Sequence, residues 1–223
     1  MDVRERRSGQ ERESRPMLYP FWQAPSPLFG GQPMIRLLFL AFALSGGAGL
    51  IYESIWGRYL ALFVGHSAYA QVLVIATYLG GMAVGALLVG EITRKLRAPL
   101  LWYVAAEGGL ALLGLVFHPL FQGLTGAAYA TLFPALGDPA WVGVVKWGLA
   151  LVMILPQAVL LGTTFPLMSA GLLRIEPELP GRTLSLLYFA NSLGASVGVL
   201  VAGFALVAWV GLPGSLLVAA GLN

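Results

Sequence analysis

The chain has 223 residues, of which 58% are hydrophobic and only 10% are charged, and its mean hydropathy is +0.80. Soluble domains carry about 25% charged residues, so this composition excludes an ordinary soluble domain and favours a membrane protein. The chain contains no cysteine, which excludes disulfides, thiolate metal sites and a cysteine nucleophile. The net charge of +3 comes from residues at chain ends and in loops, and it indicates membrane topology rather than nucleic-acid binding.

The first 33 residues differ from the rest of the chain. They are rich in arginine, glutamate and proline, and such a segment cannot bury enough apolar surface to fold. The first apolar run begins only near Met34, too far from the start for a cleaved signal peptide. We predict a disordered cytosolic tail over residues 1–33 and a transmembrane helical domain over residues 34–223.

Long apolar runs follow the tail, and about 20 helical residues are needed to cross a bilayer. The runs are apolar all round, as lipid-embedded helices are, and lack the alternation of barrel strands. The predicted fold is therefore an all-α bundle of five full transmembrane helices plus a partial sixth. The predicted segments are Ile35–Val64, Ala68–Val89, Pro99–Phe121, Trp141–Leu173, Thr183–Val210 and a short sixth from Pro213 to Asn223, with an external loop over Ala127–Pro139. The short sixth segment suggests a chain that ends inside a helix.

The basic residues predict the orientation of the bundle. The segment up to Arg36 and the loops 91–98 and 174–182 together hold 11 of the 13 basic residues, whereas the loops on the opposite side hold none. Cytoplasmic loops are enriched in lysine and arginine, so we expect the N-terminus to be cytoplasmic and the membrane to be the plasma (inner) membrane.

Six polar side chains interrupt the apolar segments, and each is a candidate for a substrate or ion pathway. An ionisable group inside a bilayer costs about 2.5–3.5 kcal/mol and usually faces a partner or a cavity. At a rise of 1.5 Å per residue, the sequence places Glu53 and Lys146 at similar depths, so we expect an outer pair between them rather than between Glu53 and Arg58. A purely structural pair that fixes helix register remains the alternative. The six candidates are Glu53, Arg58, Glu107, Lys146, Gln157 and Asn191.

A second polar level is expected nearer the cytosolic edge. Glu107 and Asn191 each lie eight residues into their segments, and Gln157 should lie slightly closer to the cytosol. Pro156 and Pro166 each free a backbone carbonyl, and broken helices beside midplane polar groups build many transporter sites. Glu107 with Asn191 suits a cationic ligand such as a polyamine.

Small residues mark expected helix contacts. Two GxxxG motifs, Gly81 with Gly85 and Gly194 with Gly198, let helix backbones approach closely. None of these glycines follows a strand, so no nucleotide-binding turn is implied. The sequence shows no catalytic residue set, and we expect neither a metal site nor a bound cofactor in this chain.

A set of motifs extends over nearly the whole apolar region from about Ile35. They are Ser45-Gly-Gly-Ala-Gly-Leu-Ile-Tyr-Glu-Ser-Ile-Trp-Gly-Arg58, Gly65-His-Ser-Ala-Tyr-Ala70, Tyr78-Leu-Gly-Gly-Met-Ala-Val-Gly85, Gly162-Thr-Thr-Phe-Pro166 and Tyr188-Phe-Ala-Asn-Ser-Leu-Gly194. Together they resemble the membrane region of fused major-facilitator/spermidine-synthase-like proteins. The resemblance implies a bundle similar to half of a major-facilitator transporter, joined in many members to a Rossmann-like aminopropyltransferase domain. This chain carries no glycine-rich nucleotide turn, so the catalytic assignment does not transfer.

Three functions stay open from the sequence. The first is a non-catalytic membrane module that anchors, or delivers substrate to, an aminopropyltransferase-like domain. The second is a half-transporter for a small cationic solute that pairs with another copy or a second membrane half. The third is a small subunit that stabilises a larger membrane complex. All three predict contact with the lipid bilayer and none predicts contact with nucleic acid.

Overall fold

The computed structural model describes residues 33–177 and 180–223, apart from the side chains of Ser67 and Arg94. The predicted disordered tail over residues 1–33 lies outside this description except for Pro33, where the first helix begins. The chain divides into two units, Met1–Arg36 and Leu37–Asn223. The second unit holds the helical bundle and all the sites considered below.

The described residues form helices and no strands. The helices are α1 (Pro33–Val64), α2 (Ser67–Gly90), α3 (Pro99–Ala127), α4 (Phe133–Leu136), α5 (Pro139–Ile175), α6 (Pro180–Val201) and α7 (Val207–Leu222). Five stretches are long and apolar enough to cross a membrane: Pro33–Val64, Ala68–Gly90, Pro99–Leu136, Pro139–Ile175 and Pro180–Leu222. The all-helical prediction with five membrane-length helices is confirmed for this part of the chain.

The stretch predicted as an external loop is largely helical. A π-helical turn, Ala128–Leu132, joins α3 to α4, and only Gly137 and Asp138 separate α4 from α5. Gly137 adopts a positive φ of 65°, and the Asp138 carboxylate accepts a hydrogen bond from the backbone N–H of Ala140. Gly137 ends one helix and Asp138 caps the next. The connection is therefore two residues long, whereas the predicted loop Ala127–Pro139 has thirteen.

The fifth membrane-length stretch bends twice. A π-helical turn, Ala202–Leu206, joins α6 to α7, and Gly211 within α7 has φ 68° and ψ −175°. Such backbone angles are reached almost only by glycine, so Gly211 breaks the helix just before Pro213.

The helix containing Pro156 and Pro166 is not broken. α5 runs without interruption from Pro139 to Ile175, contrary to the expectation of a broken helix at these prolines. Each proline removes one backbone hydrogen bond, yet membrane helices tolerate this loss where neighbouring groups satisfy the freed carbonyl.

The first helix lies at the centre of the bundle. Tyr52, Ile55, Trp56 and Leu60 are completely buried, and the rings of Tyr52 and Trp56 stack with centroids 5.6 Å apart. Tyr52 and Trp56 thus belong to the packed core of the bundle.

Candidate functional site

The most buried acidic group of the described chain lies on α3 and faces α1. Glu107 is 5% exposed, and its Oε1 accepts a hydrogen bond of 2.6 Å from the Ser45 hydroxyl. Its other oxygen, Oε2, has no hydrogen-bond partner. A charge-assisted hydrogen bond stabilises a buried carboxylate, but one such bond satisfies only part of its capacity. The Tyr103 hydroxyl also interacts with this carboxylate, so Ser45 and Tyr103 are its two neighbouring polar groups.

The neighbour of Ser45 contacts the other polar residue that was expected at this depth. A Cβ on Gly46 would lie 2.6 Å from Asn191 Oδ1, so Asn191 packs directly on this glycine. Ser45 and Gly46 are consecutive on α1, which places Glu107 and Asn191 on either side of the same turn. The equal depth that the sequence predicted for Glu107 and Asn191 agrees with this placement.

A cavity of about 130 Å³ opens beside this turn, between α1, α2, α5 and α6. Both Ser45 and Asn191 line it, and Tyr78 from α2 lies against Gly49 one turn further along α1. The remaining lining residues are Phe42, Gly46, Gly49, Leu50, Met82, Ala86, Leu161, Gly162, Thr164 and Phe165. We call Ser45, Glu107, Asn191 and this cavity the central polar cluster.

The central polar cluster offers oxygen acceptors in an otherwise apolar wall. The Ser45 hydroxyl links the cavity to the Glu107 carboxylate behind it. Tyr103 lies one helical turn before Glu107, beside its carboxylate, and packs edge-on against Phe42 at 6.1 Å between ring centroids. The side-chain oxygens of Ser45 and Asn191 can accept hydrogen bonds from a small ligand with N–H groups in this cavity.

A second polar contact lies about 10 Å further along α1, seven residues beyond Ser45. The Tyr52 hydroxyl donates to the Leu110 carbonyl at 3.4 Å and accepts from Asn223 Nδ2 at 3.4 Å. A Cβ on Gly114 would lie 2.8 Å from the Tyr52 ring, so the absence of a side chain there makes room for the tyrosine. These contacts join α1, α3 and α7.

The expected pair between Glu53 and Lys146 is not formed. Glu53 accepts a hydrogen bond of 3.3 Å from Gln71 Nε2 on α2, whereas Arg58 is exposed. The Lys146 ammonium lies over three aromatic rings, 5.5 Å from the centroid of Phe63 and similarly close to two others.

The depth arithmetic explains why this pairing prediction was wrong. Lys146 lies level with Phe63, which is ten residues beyond Glu53 and thus about 15 Å further along α1. The prediction counted depth from Trp141 as if that residue marked the membrane edge. α5 has 37 residues and α3 continues through the π-helical turn into α4, so both helices extend past that edge and carry Lys146 outward.

Gln157 is buried, at 3% exposure, but it stands apart from the central polar cluster. Its Nε2 donates to the Met153 carbonyl in its own helix, and its Oε1 has no hydrogen-bond partner. Its role in a substrate or ion pathway stays a prediction.

The four glycines of the GxxxG motifs lie at close helix contacts. A Cβ on Gly81 or Gly85 would collide with α5 at Ala158 and Val159, and one on Gly194 or Gly198 would collide with the α1 backbone. Both contacts join helices that run in the same direction, since Gly81 and Gly85 face successively later residues of α5. The two helix pairs therefore approach as closely as their backbones allow.

Sequence analysis gave Ser45 only as the first residue of a motif and missed it as the polar partner of Glu107. A serine opposite a buried carboxylate cannot be identified without knowing which helix faces α3. The sequence does contain one indication of a polar site on this face of α3, because Tyr103 lies four residues before Glu107 and hence on the same face.

Comparison with known proteins finds one similarity that extends over most of the chain. The chain is 28% identical over 179 residues to a polyamine aminopropyltransferase of Corynebacterium efficiens. The matched residues make up 79% of this chain but 31% of that protein, so the chain spans about a third of the relative's length. No family model matches the chain, and no solved structure matches it.

Proposed function

We propose that this chain is the non-catalytic membrane module of a protein related to polyamine aminopropyltransferases, where it anchors an aminopropyltransferase-like domain or supplies it with substrate. The observation that carries the proposal is the match to the Corynebacterium protein, which spans most of this chain and under a third of the relative. In this view the enzyme activity belongs to the part of such proteins that this chain does not cover. The module lies in the plasma membrane with its N-terminus cytoplasmic, as the basic loops favour.

The central polar cluster supports substrate supply over anchoring alone. Polyamines carry ammonium groups on flexible apolar stems, and they need an acidic acceptor within an apolar wall. Glu107 provides a buried carboxylate, and the Ser45 hydroxyl, which lines the cavity, donates a hydrogen bond to it. A carboxylate buried without a cation is costly in a membrane protein, so a cationic ligand would lower this cost.

Ligand binding to the purified protein in lipid nanodiscs tests this role. We expect Glu107→Gln to weaken spermidine binding at least tenfold, because it removes the negative charge and keeps the shape, and hydrogen bonds to charged groups contribute about 1.5–3 kcal/mol. The matched control is Glu91→Gln, which removes an exposed carboxylate in the loop after α2. Isothermal titration calorimetry measures both variants, and equal binding by the wild type and Glu107→Gln would show that Glu107 is structural.

The alternative is a half-transporter that resembles half of a major-facilitator fold and works as a dimer. The observation in its favour is the backbone break at Gly211, after which the Pro213–Leu222 part of α7 would form the start of a sixth crossing. The cavity beside α6 would then be completed by a second copy. Uptake of radiolabelled spermidine into proteoliposomes separates the two functions, because only a transporter carries spermidine across the bilayer. A chain that neither binds nor transports spermidine would leave anchoring alone or the third function, a structural subunit of a membrane complex.

A further inference from the structure

A second cavity lies at the end of the bundle that carries the basic loop 91–98. Its volume is about 410 Å³, within the usual range of small-molecule sites. It lies between the end of α2, the start of α3, the middle of α5 and the 3₁₀ turn Ile92–Arg94. It is lined by Val89, Ile92, Leu96, Trp102, Ala105, Ala106, Leu160, Thr163 and Leu167.

The interior of this cavity offers almost no hydrogen bonds. Thr163 and the half-exposed Trp102 are the lining residues with polar side-chain atoms, and the Thr163 hydroxyl already donates to the Leu160 carbonyl at 2.7 Å. A group bound inside must therefore be apolar, since a polar group buried without a partner is destabilising.

Basic residues outnumber the single acidic residue, Glu91, in the loop 91–98 that lines part of this cavity. Ile92 and Leu96 line the cavity, and Lys95 and Arg97 are exposed in the same loop. The Arg174 guanidinium at the end of α5 donates to the carbonyls of Arg97 at 3.0 Å and Thr93 at 3.3 Å. These hydrogen bonds hold the loop that carries Lys95 and Arg97 against α5.

The opening faces the surface of the bundle. Ile92 and Trp102 are each at least half exposed, whereas Ala106, Thr163 and Leu167 are buried at the back. A ligand can therefore enter from the side, along the surface that the bilayer covers, without passing through the central polar cluster.

We propose that this cavity binds an anionic phospholipid, with one acyl chain in the apolar interior and the phosphate beside Lys95 and Arg97. The apolar lining packs against one acyl chain of the lipid, and the basic residues of the loop select the negative headgroup. Basic pockets between transmembrane helices at the cytoplasmic side are suited to such headgroups. The site is separate from the proposed polyamine site, so it stands whether or not that site binds a cation.

Tryptophan fluorescence tests the proposal directly, because Trp102 lines the cavity. The full chain is purified in a neutral detergent and titrated with phosphatidylglycerol or phosphatidylcholine carrying brominated acyl chains, which quench nearby tryptophan. The signal of Trp102 is the part of the quenching that is lost in Trp102→Phe. We expect this part to reach half-saturation at roughly tenfold less phosphatidylglycerol than phosphatidylcholine.

Two sets of variants separate the headgroup from the chain. Lys95→Gln with Arg97→Gln should abolish the preference for phosphatidylglycerol, whereas Arg58→Gln, at an exposed arginine of α1, should keep it. Ala105→Leu, which fills the cavity from its exposed rim, should weaken quenching by both lipids, whereas Ala83→Leu, at an exposed alanine of α2 outside the lining, should not. Each variant is compared only after gel filtration and far-ultraviolet circular dichroism match the wild type.

Three results would overturn the proposal. Equal half-saturation by the two lipids would show that the site does not select an anionic headgroup. Unchanged quenching in a folded Ala105→Leu would show that the lipid does not occupy the cavity. Displacement by inorganic phosphate alone, with no dependence on the acyl chain, would point to a free anion. If Ala105→Leu does not fold, the loop variants still decide, because both side chains are exposed.

Discussion

Lys146 is held at the outer end of the bundle by aromatic faces rather than by a carboxylate. Its ammonium lies 5.1–5.6 Å from the ring centroids of Phe63, Tyr129 and Phe133. The π-helical turn Ala128–Leu132 brings Tyr129 close to Phe133, with centroids 4.9 Å apart, and the Tyr129 hydroxyl donates to the Phe63 carbonyl. One cation thereby ties together α1, α4 and α5.

This contact predicts a measurable effect on stability. Lys146→Met keeps most of the apolar stem and removes the charge, so we expect unfolding free energy to fall by about 0.5–2 kcal/mol, the range of a partly buried cation–π interaction. Lys146→Arg should restore most of the loss, because a guanidinium also binds aromatic faces. Thermal unfolding in one detergent compares these variants with Lys95→Met, at an exposed lysine. An equal loss in the methionine and arginine variants would argue for packing rather than charge.

At the scale of helices, contacts at glycine determine how closely neighbouring helices pack. α2 and α5 meet through Gly81, Gly85 and Gly162, each with another backbone or an alanine directly against it. Dispersion and close packing drive helix association where lipid removes most of the hydrophobic difference, so such contacts contribute to stability. The exposed face of α2 carries apolar side chains such as Leu87, which suits contact with acyl chains.

Two glycines on the same helix provide a matched test. A Cβ on Gly85 would lie 3.1 Å from the Gly162 Cα and collide with the Val159 carbonyl, whereas one on Gly80 meets nothing within 4 Å. We expect Gly85→Ala to destabilise the protein by about 1–3 kcal/mol, since backbone atoms would have to move. Gly80→Ala should be neutral or stabilising, because alanine favours helix more than glycine does. Thermal unfolding of the purified variants checks both, and similar melting temperatures would show that α2 and α5 are not in close contact.

At the scale of the molecule, the central helix organises the bundle. α1 contacts α2 at Gly57 and Gln71, α3 at Ser45 and Glu107, α5 at Gly49 and Leu161, and α6 at Gly46 and Asn191. The core that surrounds it contains Tyr52, Trp56 and Phe117. A change on α1 should therefore affect both the central polar cluster and the packing of every neighbouring helix.

Orientation in the membrane is testable at this scale, and the chain is well suited because it contains no cysteine. Ala98 precedes α3 beside the basic loop, and Ala140 lies at the opposite end in the first turn of α5; both are exposed. With the basic loops cytoplasmic, a membrane-impermeant maleimide should label Ala140→Cys in intact cells and Ala98→Cys only after permeabilisation. The reverse pattern would show that the N-terminus is external.

Much of the fold follows from local sequence, whereas the site does not. Helix number follows from uninterrupted apolar length, because each segment must satisfy its own backbone hydrogen bonds in lipid. The outer end of α3 was predicted too early, because the π-helical turn Ala128–Leu132 continues the helix through residues that were predicted to form a loop. The depth of Glu107 and Asn191 could be counted from the segment starts, since helical rise is constant.

The amino-acid sequence alone predicts five helices long and apolar enough to cross a membrane, and it shows which polar groups lie within them. The partners of those groups become visible in the folded bundle: Ser45 for Glu107, Gln71 for Glu53 and three aromatic rings for Lys146. Apolar length and charge are properties of one segment, so they can be read along the chain. A partner depends on the rotation and the axial position of a second helix, and both are set by close packing between small residues distant in sequence.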